Sequence, residues 1–233
     1  MFEELEPAFE ALRVYDWGKQ EDRSLLNPID DAITTSHGDA DARLVLEGRL
    51  AAVLASDVPR DAKDYIGRKL MLIGTATCVP ALAALLPDAD LSHMARYALE
   101  RIPASEAGDA LREAMGVLDG DLKIGMISSL SARNDEACVP ALKALLGNSN
   151  ALLAKAAADA LGIIGTTDAA EALSGAETMA PVIDASLACA ESLLAGGNKT
   201  GAMAIYQKFM AGDYPAHVKL GATRGMLACA AAN

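Results

Sequence analysis

Cys78-Val79-Pro80-Ala81-Leu82 returns sixty positions later as Cys138-Val139-Pro140-Ala141-Leu142. A second pair keeps the same beat: Ile73-Gly74-Thr75 returns as Ile164-Gly165-Thr166, 91 positions on. Two periods of about thirty make the first interval and three make the second, which is the mark of a stacked repeat array. Working outward, Leu82, Leu111, Leu142, Leu173 and Ile205 are spaced by 29, 31, 31 and 32 residues. Leu70, Leu99, Leu130, Leu161, Leu193 and Leu227 are spaced by 29, 31, 31, 32 and 34. Two ladders with one step predict units of two helices, at 41–74, 77–103, 106–134, 137–165, 168–196 and 199–231.

Helical periodicity supports this. Leu91, Met94, Ala95, Ala98, Leu99 and Ile102 form one apolar stripe, and Leu153, Ala156, Ala157, Ala160, Leu161 and Ile164 repeat it. Asp90, Asp121 and Asn150 stand where second helices begin, as expected N-caps, and Gly74 and Gly165 where second helices end. Pro80 and Pro140 fall in the first turn of first helices, where a missing N–H costs nothing. Ser174-Gly175-Ala176 shortens the first helix of the fifth unit, and Gly196-Gly197-Asn198 stretches the following loop.

Residues 1–40 differ from the rest and form an expected N-terminal helical cap, leaving 41–231 as one continuous array. Residues 3–15 are an amphipathic helix with Phe2, Leu5, Phe9 and Leu12 inward, and Asn27-Pro28 opens a second helix closing at His37-Gly38. Between them lies Trp17, the only tryptophan, expected to pack within the cap. The final helix carries Val218, Leu220, Met226, Leu227 and Cys229 with little polar face, which predicts self-association through that helix or continuation into further repeats.

Apolar residues make up 52% of the chain but aromatics only 4%, a balance that suits close-packed helices rather than strands. The net charge is −12; residues 1–64 hold fifteen acids and seven bases, or −8. Such a surface repels phosphate backbones and argues against nucleic-acid binding. The four cysteines have no metal-ligand spacing, and Cys78 and Cys138, two repeats apart at about 10 Å each, lie beyond disulfide reach. Buried free thiols in a reducing compartment are expected. The acidic start has no signal-peptide character and no apolar run reaches membrane length, so a cytoplasmic chain without membrane contact is expected.

With Pro-Ala-Leu opening first helices and Ala157-Ala158-Asp159-Ala160-Leu161-Gly162 closing a second, the chain resembles HEAT-like repeat proteins over about 41–231. Tyr15-Asp16-Trp17-Gly18 and His37-Gly38-Asp39 are similar to the leader of HEAT-repeat proteins of planctomycete-type bacteria. The resemblance implies an all-α, right-handed α-α superhelix (a HEAT/ARM-type solenoid) of about six two-helix repeats plus the N-terminal cap. It implies a scaffold or binding surface and brings no activity.

No converging chemistry is legible. His37, His93 and His217 have no glutamate neighbours, and no metal, phosphate-loop or nucleophile-elbow pattern occurs. No catalytic, cofactor or metal residue is therefore expected, and the chain is read as a non-enzyme. What remains is a concave face formed by second helices, with His93, Arg96, Tyr97, Lys123, Ile124, Ile127, Ser128, Lys155 and Asp159 as candidate contacts for a protein or peptide. Arg96 with Glu100 and Lys155 with Asp159 equally satisfy the spacing of surface ion pairs. The alternatives are a groove enzyme similar to HEAT-like bilin lyases or DNA glycosylases, for which a pocket lined by Trp or Tyr would speak, and a structural segment of a longer chain.

Overall fold

The leucine ladders bury as helices paired into hairpins. The structure, a computed structural model, describes residues 3–19 and 22–231, so the expected inward packing of Phe2 lies outside the described residues. No strand occurs among the described residues. The cap is α1 (Glu6–Val14) and α2 (Asn27–Thr35), with short 3-10 turns at Glu3–Leu5, Trp17–Lys19 and Arg23–Leu26. Six hairpins follow: α3 (Ala40–Leu54) with α4 (Arg60–Ile73), α5 (Val79–Ala83) with α6 (Ser92–Arg101), α7 (Ser105–Val117) with α8 (Gly120–Ala132), α9 (Val139–Leu145) with α10 (Ala151–Ile164), α11 (Thr167–Ser174) with α12 (Ala180–Ala195), and α13 (Lys199–Ala211) with α14 (Ala216–Ala231). The chain divides into two compact units, Met1–Ser129 and Leu130–Asn233.

In the first unit the cap closes on α3 and α4 through Phe9, Leu12, Leu26 and Ile29, all buried. Arg49 on α3 lies over the Phe9 ring, 4.0 Å from its centroid, and binds Glu6 at 2.5 Å. The cation thus covers the aromatic with its face and meets a carboxylate at its edge. Leu70, Leu82, Leu99 and Leu111 are fully buried.

In the second unit Leu130, Leu142, Leu161 and Leu173 continue the two ladders, with at most 2% exposure. The second ladder then breaks at its end. Leu227 is 67% exposed, and α14 buries Val218, Ala222, Gly225 and Cys229 instead. The cause is Tyr206 on α13: a side chain at 225 would collide with its ring, so Gly225 receives the phenol and sets the rotation of α14. Tyr206 also takes the buried place expected of Ile205, which is half-buried.

The repeated words fold alike. Cys78 and Cys138 are buried and donate their thiols to the carbonyls three residues before, Thr75 at 3.4 Å and Asp135 at 3.0 Å. Thr75 caps the 3-10 turn Ala76–Cys78 that leads into α5, and Thr166 caps α11 directly. Asn150 caps α10 as expected, whereas Asp121 lies inside the first turn of α8, and Asp88 rather than Asp90 accepts the N–H groups before α6. The two glycines of the Ile-Gly-Thr word part company. Gly165 is left-handed at φ 59, but Gly74 is extended at φ −65 and is required for space, since a Cβ there would meet Cys78 Sγ and Ile102 Cδ1 at 2.9 Å.

Candidate functional site

Second helices turn one row of side chains outward at a constant register. Counting back from Leu70, Leu99 and Leu130, the positions two and six before hold Arg68 and Asp64, Tyr97 and His93, and Ser128 and Ile124. Arg68, His93, Tyr97 and Ser128 are exposed; Asp64 and Ile124 are half-buried. In the second unit the same register holds Asp159 and Lys155 on α10, where Lys155 Nζ binds Asp159 at 2.6 Å as the i,i+4 spacing requires. Lys123 folds back onto Asp119 at 3.4 Å. Ile127 does not belong to the surface. It is 1% exposed, because the turn from Ile124 to Ile127 carries it into the core stripe beside Leu130.

Arg96 is not a plain surface ion-pair partner either. Its guanidinium lies across α8 and donates through one terminal nitrogen to the Gly125 carbonyl at 3.2 Å and to Ser129 Oγ at 3.1 Å. Ser129 is fully buried and donates in turn to Glu100 at 2.7 Å, so a hydroxyl stands between the two charges expected to pair directly. Burial works to lower the Arg96 pKa, and the nearby Glu100 opposes it. Gly125 makes the lock possible, since a Cβ there would come within 2.9 Å of the guanidinium carbon. A mid-helix glycine costs about 1 kcal/mol against alanine, so Gly125 was the readable signal for a close approach. The lock fixes α6 against α8 and holds the His93 and Tyr97 row in place.

Trp17 also departs from expectation. Its indole is 68% exposed rather than packed in the cap. The backbone is nonetheless anchored: Trp17 N–H donates to Asp61 on α4 at 2.9 Å, and Gly18 N–H to Asp16 at 2.9 Å. These bonds fix the chain while leaving the ring in solvent. Beside it lies a cleft of about 400 Å³ lined by Tyr15, Trp17, Arg23, Tyr65, Arg68 and Lys69, together with Asp61 and Asp64.

Behind the cleft, Asp30 on α2 gathers three donors. Arg23 reaches it at 2.6 Å, Lys69 at 2.7 Å and the Tyr65 hydroxyl at 2.8 Å. Both cations also lie over the Tyr65 ring, at 4.9 and 4.8 Å. Burial works to raise the Asp30 pKa, but the hydrogen bonds from Arg23, Lys69 and Tyr65 outweigh it and hold the carboxyl below its ordinary value of 3.8. A depressed folded pKa gives stability that is present above the unfolded pKa and lost as pH falls through the folded value. Asp30→Asn is therefore expected to destabilise the chain at neutral pH, with the difference from wild type closing below about pH 4. Urea midpoints of both proteins across that range check it; a gap independent of pH would place the Asp30 contribution elsewhere.

Cys78 and Cys189 are not poised for chemistry. Burial, aided by the neighbouring Glu47 carboxylate, pushes the Cys78 pKa up to about 12, and burial pushes Cys189 up to about 11. All four cysteines are buried and none forms a disulfide. Among the described residues no three His, Cys, Asp or Glu side chains gather as a metal would require, and no helix is long and apolar enough to cross a membrane. In the second unit, the early end of α11 at Ser174 opens a groove of about 600 Å³ floored by Leu146, Ala154, Ala172 and Val182, with Met179 and Lys155 at its side.

Residues 118–193 match the family model for HEAT repeats. The match runs from the start of the third hairpin's second helix through most of the fifth hairpin. No curated protein matches the sequence. Among solved structures, the crystal structure of an engineered protein from a structural genomics consortium aligns over 96% of each chain at 18% identity, with a TM-score of 0.36. Residues 118–193 are thus similar to HEAT repeats, and they lie within an array of two-helix hairpins.

Proposed function

We propose that this chain is a non-catalytic interaction module that holds a protein or peptide on the exposed face of its second helices. The observation that carries this reading is the outward row Arg68, His93 and Tyr97, flanked by an exposed Trp17 whose backbone is pinned to α4. Trp, Tyr and Arg are the residues that dominate binding energy when a partner desolvates them. A rigid scaffold beneath them lowers the ordering cost of binding. The charge of −12 favours a partner with basic character and disfavours nucleic acid.

The test begins with affinity capture from the source cells and continues with the purified captured protein. Arg68→Ala with Tyr97→Ala is expected to weaken its affinity by about tenfold or more. Val117→Ala, at a 75% exposed position on a first helix, is expected to leave it unchanged. The opposite pattern would move the binding face to the first helices and end this reading.

One observation supports a second reading. The cleft lined by Tyr15, Trp17 and Tyr65 has the aromatic character that a small ligand or an extruded base would use, as in a lyase-like or glycosylase-like groove enzyme. Trp17 is the sole tryptophan, so its fluorescence reports occupancy directly. A saturable change on titration with single-stranded DNA would favour this reading; a change with the captured protein alone supports the module.

A further inference from the structure

A second cavity, of about 470 Å³, lies in the first unit where the 3-10 turn at Glu3–Leu5, α2 and the start of α3 meet. Leu5, Ala32, Ala42 and Leu46 make its floor, and Glu4, Asp31 and Asp39 stand at its rim. Asp39 is engaged as the N-cap of α3. Glu4 and Asp31 are exposed and have no cationic partner among the described residues. No lysine, arginine or histidine lines the cavity.

The second unit carries the complementary chemistry. With Val218, Ala222, Gly225 and Cys229 buried, α14 turns outward Leu220 at 71% exposure and Leu227 at 67%, with exposed Arg224 between them. Residues 220, 224 and 227 are spaced as one helical stripe. Residues 199–231 hold four Lys and Arg against one Asp, a local charge of +3, in a chain whose first 64 residues carry −8. Two large leucines beside a cation form an apolar ridge of basic character, and that ridge suits an apolar floor ringed by carboxylates.

We propose that α14 of one copy docks in the Leu5–Leu46 cavity of a second copy, with Leu227 entering the floor and Arg224 meeting Asp31 and Glu4 at the rim. The two surfaces differ, so the contact is heterologous. Each docked pair leaves one cavity and one α14 open, and association continues head to tail unless its rotation closes a ring. Added salt weakens it, because the rim charges are solvent-exposed and screened within about 8 Å at physiological ionic strength.

Sedimentation of the full chain tests the proposal. Wild type is expected to grow with concentration beyond a dimer at low salt and to shrink at high salt. Leu227→Glu removes the ridge, and Ala32→Glu fills the floor with a carboxylate; each variant alone is expected to be monomeric with wild-type helicity by circular dichroism. Mixed in equal amounts, the two are expected to form a discrete heterodimer. The intact cavity of the first takes the intact α14 of the second, and the leftover ends, both acidic, repel. A wild type that stays monomeric at every concentration overturns the proposal. So does an Ala32→Glu protein that still dimerises, which would mean symmetric pairing of α14 with α14, or a mixture that forms no heterodimer. Arg224→Glu supplies an independent variant of the ridge and is expected to lose association as well.

Discussion

Glu47→Ala is expected to cost about 3–5 kcal/mol, a large share of the roughly 5–15 kcal/mol that holds a domain folded. Glu47 sits on α3, fully buried, and its carboxylate accepts the Thr75 N–H at 2.8 Å, the Thr75 hydroxyl at 2.9 Å and the Cys78 N–H at 3.0 Å. Those donors lie on the 3-10 turn Ala76–Cys78 and its cap, just ahead of α5, where no intrahelical acceptor exists. A hydrogen bond to a charged group contributes about 1.5–3 kcal/mol, and truncation leaves two backbone donors without a partner. One carboxylate therefore ties the first hairpin to the second. Urea denaturation checks it: the midpoint should fall with the slope unchanged. Glu47→Gln keeps one acceptor oxygen and should lose about half as much. A Glu47→Ala protein within about 1 kcal/mol of wild type would show that other groups hold this junction.

Gly165→Ala is expected to cost about 3 kcal/mol, from two sources that a control can separate. Gly165 is left-handed at φ 59, where an alanine costs about 1–2 kcal/mol. The added methyl would also run into the Ser192 Cβ on α12, an overpacking worth about 1–3 kcal/mol more. Gly197 has φ 87 but open space around the position of a Cβ. Gly197→Ala should therefore show the backbone term alone. Equal losses at the two sites, measured by chemical denaturation, would remove the packing term and with it the close approach of α12 to the end of α10.

Much of the fold was legible because a repeat declares itself twice. The Cys-Val-Pro-Ala-Leu word and the leucine ladders placed the hairpins, since a buried helix stripe needs an apolar residue every three or four positions. Asn150 was readable as a cap for a local reason: its side chain serves N–H groups two and three residues on. Where the partner lay outside the local segment, the reading failed. Leu227 satisfied the ladder, yet Tyr206 rotated α14 and left that leucine in solvent. Ile127 looked like surface and proved to be core. Trp17 looked like packing and proved exposed, because a hydrogen bond from its own backbone to Asp61 held the loop without the ring.

The candidate surface divides in the same way. The outward row Arg68, His93, Tyr97 and Ser128 follows from periodicity alone once Leu70, Leu99 and Leu130 are taken as buried. Glu47, Ser129 and Asp30 could not be singled out, since each owes its importance to donors 28 to 39 positions away: Thr75 for Glu47, Arg96 for Ser129 and Lys69 for Asp30.

By itself the sequence determined that the chain is a succession of two-helix units, with most of their starts, stops and inward stripes. Those are properties of neighbours within about one helical turn, and period and capping express them directly. Tertiary structure alone decided which polar groups were sealed between hairpins, how the last helix turned, and that Trp17 faced solvent. Each depended on side chains brought together from distant positions, where volume and unpaired donors, rather than local propensity, set the outcome.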